Sequence, residues 1–207
     1  MWAIMTRGGP LMWPLLSCSL VAVTVIAERT LFWMRLLYRR DRTLIDRIFA
    51  LSEAGDFETA QQAASDSRCV TARVLAAGLQ HYRYGLRECL EAAADGEIEQ
   101  MKRGLNVLDT IITLAPLLGI LGTVAGIIQS FDLLGQAGME SPQAVTGGIG
   151  QALITTAAGL TVAIITLLPY NALVHRTEKF ARQLEKICTH FEVTVRQGRQ
   201  TGANRSE

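Results

Sequence analysis

Gln151, Thr155 and Thr156 stand inside GGIGQALITTAAGLTVAIITLLP, a stretch from 147 to 169 without a charged residue. A side-chain amide left without a partner in hydrocarbon costs several kcal/mol, so Gln151 must meet protein or water. At spacings of three and four, Gly148, Gln151, Thr155, Ala158 and Val162 share one helix face. Thr156 lies about 140° round from Gln151 at 100° per residue, so the polar surface is broad. A second uncharged stretch, LAPLLGILGTVAGIIQSF, puts Gly119, Thr123 and Gly126 on one face, with Gly122 and Gly126 forming a GxxxG. Two chemistries fit. In one, Gly119, Gly122, Gly126, Gly148 and Gly159 only let helix backbones approach closely in lipid, and Thr123 bonds back to its own backbone. In the other, hydroxyls and amide form a wetted surface that handles ions. A single Gln between helices would be glue of about 1 kcal/mol; Gln151 with two threonines beside it and Thr123 opposite favours the wetted surface. Pro116 removes one backbone hydrogen bond and is expected to kink its helix.

The elements that carry these residues are apolar and long. Segments 11–34, 105–132 and 143–174 each exceed the roughly 18–20 residues that span a hydrocarbon core. No Lys or Arg occurs between Arg103 and Arg176. The expected fold class is all-α, an integral membrane protein with three transmembrane helices and long cytoplasmic helical extensions. Three spans cannot enclose a conduit while also touching lipid, which implies an oligomer around an axis. The overall charge is +1, which argues against nucleic acid as the main partner.

Positive residues stay in the cytoplasm. Arg7 precedes the first span, whereas Arg35, Arg39, Arg40, Arg42 and Arg47 follow it. Residues 1–10 are therefore expected outside, and that flank argues against a cleaved signal peptide. Residues 35–104 read as a cytoplasmic helical domain. It has a turn at Gly55–Asp56, apolar positions Val74, Leu75, Leu79, Tyr82, Leu86 and Leu90, and a last helix running into the second span. The 133–142 loop has no Lys or Arg and is expected outside, with Pro142 in the first turn of the third span. Residues 175–195 form an amphipathic helix with Phe180, Leu184, Ile187, Cys188 and Phe191 as its stripe. The 196–207 tail is expected to be disordered. Cys18, Cys69, Cys89 and Cys188 lack CxxC spacing and read as reduced thiols, and the scattered His81, His175 and His190 suggest no metal site. No nucleophile–base pair or phosphate loop suggests an enzyme.

The second and third spans, LAPLLGILGTVAGIIQSF and GGIGQALITTAAGLTVAIITLLPYNALVHR, resemble those of the ExbB/TolQ/MotA proton-channel family. WPLL and AVTVIAERTLFWMR in the first span, with GDFETAQQAA and ARVLAAGL after it, are similar to the ExbB branch. The resemblance implies a ring of five copies in the inner membrane of a Gram-negative bacterium. It implies a pore lined by spans two and three, occupied by a single-span ExbD-like partner with a membrane-embedded Asp, and a TonB-like protein that carries the work to outer-membrane transporters. It implies protons as the transported ion and no cofactor. Thr123 falls on the threonine of the family's LLGTV, Thr156 on that of ATAxGL, and Ala115 and Pro116 on APLLG; with Gln151 and Thr155 these become the expected ion pathway and partner contact. Many ExbB and TolQ members carry a Glu where this chain has Gln151. A Gln takes up no proton, so either the partner's carboxylate carries it alone, or Na⁺ is transported with Thr hydroxyls and the Gln carbonyl as ligands. The inside basic flanks suit anionic membrane lipids. A TolQ-like stator for envelope constriction and a non-conducting membrane scaffold are the competing readings; MotA-type members have four spans.

Overall fold

The computed structural model describes residues 9–38, 41–65, 67–82, 85–137 and 142–205. Every regular element among them is a helix: α1 (Met12–Tyr38), α2 (Arg42–Glu53), α3 (Phe57–Ser65), α4 (Val70–Gln80), α5 (Leu86–Lys102), α6 (Leu105–Ala137) and α7 (Pro142–Arg205). α1, α6 and α7 are long and apolar enough to cross a membrane. The chain is thus an all-helical protein with three candidate spans. It packs as two units, Met1–Arg29 with Gly104–Leu173, and Thr30–Arg103 with Val174–Glu207.

In the first unit, parts of α1, α6 and α7 pack through small side chains. Met12, Leu15 and Ala115 form a buried cluster with Leu118, Ala158 and Val162 against it. Arg29 is buried, and its Nη2 donates to Glu28 Oε1 at 2.7 Å. The pair neutralises a charge that would be costly at the end of an apolar helix.

The second unit is a helical domain with its own core. Asp41 caps α2: its Oδ1 accepts from the Leu44 N–H at 3.1 Å and from the Thr43 hydroxyl at 2.7 Å. The same two bonds, Thr43 first, hold the Asp41 carboxyl below its ordinary value. The expected turn forms at Gly55, where φ is +83°; such a conformation suits a residue without Cβ. The apolar periodicity of α4 is buried as Val74, Leu75 and Leu79, joined by Leu90 of α5 and by Leu184, Phe191 and Val195 of α7. Phe49 meets Phe191 edge-on with ring centres 5.2 Å apart.

Three expectations need correction. α5 does not run unbroken into α6: Arg103 leaves the helical conformation and Gly104 has φ +81°. α6 continues to Ala137 and so enters the stretch expected as a loop. The remainder of that stretch before Pro142, residues 138–141, lies outside the described residues, as do 1–8 of the N-terminal segment. The tail from 196 is helical to Arg205 rather than disordered. Val195 is fully buried, and Gly198 packs on the Ser52 carbonyl oxygen so closely that a methyl group there would collide with it. A polar composition understates order when one face is docked. Residues 206–207 lie outside the described residues.

Candidate functional site

α6 and α7 run antiparallel along one seam of small residues. A methyl group added at Gly159 would collide with the Ala115 carbonyl oxygen and lie 3.2 Å from Gly119 Cα. At Gly119 it would lie 3.0 Å from Thr156 Cα; at Gly122 it would strike the Thr155 side chain; at Gly126 it would lie 2.9 Å from Ala152 Cβ. At Gly148 it would strike Ser130 Oγ. The five glycines therefore occupy successive levels of one helix–helix contact, where each missing Cβ lets the opposing backbone or side chain in. Pro116 sits inside α6 beside Ala115, which is fully buried.

The hydroxyls are distributed unequally along this seam. Thr156 Oγ1 donates across it to the Gly119 carbonyl at 2.9 Å. Thr123 Oγ1 donates within its own helix to Ile120 O at 2.6 Å and stays partly accessible. Thr155 is 1% exposed, its hydroxyl donating to Gln151 O at 3.0 Å. In this chain Thr155 is interior to the seam, with its methyl group filling the Gly122 notch. Ser130 Oγ donates to Gly126 O at 2.8 Å. Each hydroxyl spends its proton on a carbonyl and keeps oxygen lone pairs, so an accessible one can accept from water or approach a cation.

The Gln151 amide lies against Gly9, whose φ of +73° turns the chain into α1. A side chain at Gly9 would displace that amide. Sequence spacing gave no sign of this neighbour, because Gly9 lies in the segment ahead of the first span, far from Gln151 in the chain. Two further polar features were missed for the same reason. Ser130 fills the level opposite Gly148, and the Tyr170 hydroxyl of α7 lies beside the Asp109 carboxylate of α6. The opposite faces of these helices are apolar and open: Leu117 is 61% exposed, Phe131 66% and Leu168 71%. Open apolar area on that scale marks a surface for lipid or another protein.

Helices of membrane length packed along a small-residue seam that carries hydroxyls define an all-α protein of the membrane-spanning kind. The chain belongs to the MotA/TolQ/ExbB proton channel family, whose profile matches residues 66–186. It is 44% identical over 176 residues to the "Putative biopolymer transport protein ExbB-like 1" of Synechocystis, covering 81% of this chain and 68% of that protein. It is 41% identical over 92 residues to the "Biopolymer transport protein ExbB" of Neisseria gonorrhoeae, 44% of this chain and 42% of that one. It is 33% identical over 107 residues to the "Tol-Pal system protein TolQ" of Haemophilus influenzae, 52% and 47% of the two chains. The names of the first two support the ExbB branch.

Proposed function

We propose that this chain is the pore-forming subunit of an inner-membrane, ion-driven motor that works with an ExbD-like single-span partner and a TonB-like protein to energise outer-membrane uptake. The observation that carries the reading is the α6–α7 seam lying inside the matched family region, with Thr123 accessible and Thr156 bonded across it. Copies assemble as a ring of five around the partner's helix, and the N-terminus faces the periplasm. Thr123, Thr156 and Gln151 form the hydrated path and the partner contact, while Thr155 backs them from inside the seam. With Gln151 in place of a carboxyl, the partner's Asp takes the proton and the hydroxyls relay it through water. One charge crossing 100 mV releases about 2.3 kcal/mol, so a few protons suffice to rearrange partner contacts. Na⁺ is the second ion reading, favoured by the absence of a titratable group at Gln151. TolQ-like envelope constriction is the second functional reading, favoured by the TolQ relative.

Deletion of the chain, and its replacement by Thr123→Val or Thr156→Val, separates these readings. Both substitutions remove a hydroxyl and nearly keep the shape. TonB-dependent uptake is expected to fall to background in the deletion and in both variants, with protein level and oligomer unchanged in the variants and cell constriction normal throughout. Normal uptake with defective constriction in the deletion would favour the TolQ-like role. Normal uptake by both variants would reduce the seam to packing.

A further inference from the structure

A cavity of about 490 Å³ opens in the second unit, beside the last turns of α1, the first turns of α2 and α4, and the stretch of α7 just past Leu173. Its volume falls within the roughly 300–1,000 Å³ typical of small-molecule sites. Leu36, Leu37 and Phe180 make its apolar wall, and Arg42, Arg176 and Lys179 bring three cations to it. Among the described residues no Asp or Glu lines it.

The cations are unspent. Arg73, Arg87, Arg182 and Arg196 each hold a Glu within 4 Å. Among the described residues Arg42, Arg176 and Lys179 hold none. The indole ring behind them is buried. Trp33 lines the same cavity, is 4% exposed, and its indole Nε1–H has no acceptor. A buried donor left unmade costs about 1–3 kcal/mol, so native structures rarely keep one without a partner. Three unpaired cations in one wall call for an anion with several acceptor oxygens.

We propose that this cavity binds the phosphate headgroup of an anionic phospholipid. Position in the chain selects a lipid over a free anion. Trp33 and Leu37 belong to the last turns of an apolar helix of membrane length, and Arg176 is the first cation after the long apolar part of α7. Tryptophan and snorkelling cations sit where a bilayer meets water. Leu36 and Leu37 then offer the glycerol and upper acyl carbons an apolar wall, which inorganic phosphate has no use for. The site requires only that these helices lie in a bilayer. It does not require ion conduction, so an uptake assay and a lipid assay fail separately.

The test extracts the full chain in mild detergent from vesicles holding equal phosphatidylglycerol and phosphatidylethanolamine, and counts retained lipid by mass spectrometry. Phosphatidylglycerol is expected to be retained several-fold over phosphatidylethanolamine. The double variant Arg176→Gln/Lys179→Gln should lower that retention by about tenfold or more, given about 1 kcal/mol per cation near an anionic surface. Arg42→Gln, which removes the third unpaired cation, should lower retention by roughly 2- to 10-fold, given about 1 kcal/mol per cation. Arg182→Gln/Arg196→Gln, whose cations are already paired, should leave it unchanged. Equal retention of the two lipids, or unaltered retention in the cavity variants, would overturn the proposal. Displacement of the lipid by excess inorganic phosphate would also overturn it, by making the cavity a free-anion site. Loss of oligomer without loss of lipid in the cavity variants would overturn it too, by making the occupant a second copy of the chain.

Discussion

Gly159 and Gly147 differ in what an added side chain would meet. A Cβ on Gly159 meets the Ala115 carbonyl, which is backbone and cannot swing away, whereas a Cβ on Gly147 meets nothing within 4 Å. Gly159→Ala should therefore lower the thermal stability of the detergent-solubilised chain by about 1–3 kcal/mol through overpacking, while Gly147→Ala should be neutral. Equal melting temperatures for the two would mean that the α6–α7 approach is looser than described. The small residues were legible from spacing alone, because three- and four-residue intervals put them on one face whatever they face. The partners of the polar residues were not. Which hydroxyl stays inside its own helix, as Thr123 does, and which crosses to another, as Thr156 does, depends on the register of two helices. Register is not written within either helix. The Gly9 neighbour of Gln151 is the same case.

At the scale of elements, long apolar runs with few charges made α1, α6 and the first half of α7 legible. The stripe on the second half of α7 was legible too, since Leu184 and Phe191 are core and Phe180, Ile187 and Cys188 pack on it. The break at Gly104 coincides with the last cation before the second span, Arg103, but helical periodicity continues on both sides, so the polarity change there reads as the edge of a span rather than as a turn in the backbone. Cys188 gives that stripe a chemical signature. Burial, with Glu91 adding to it, pushes its thiol up from 9.0 to about 11. Below pH 9 the folded and unfolded chains both keep this proton, and the group's contribution to stability is fully present. Between 9 and about 11 the unfolded chain loses the proton first, so stability is lost as pH rises through that window. Alkylation needs the thiolate. Peptide mapping after brief alkylation should find Cys188 unmodified at neutral pH, with its rate climbing only as pH approaches 11. Rapid modification at neutral pH would mean that the α7 stripe does not stay docked.

For the whole molecule, the open apolar faces of α6 and α7 suit lipid or another protein. Under the proposed function, conduction is a property of copies assembled around a partner. The direct measurement is ion flux into liposomes holding the chain together with its ExbD-like partner, read by an internal pH dye at fixed membrane potential, with and without external Na⁺. Acidification of the lumen that is independent of Na⁺, and is lost when the partner's membrane Asp is changed to Asn, is the expected result. No flux above that of the chain alone, or flux that appears only with Na⁺, would contradict a proton-driven motor.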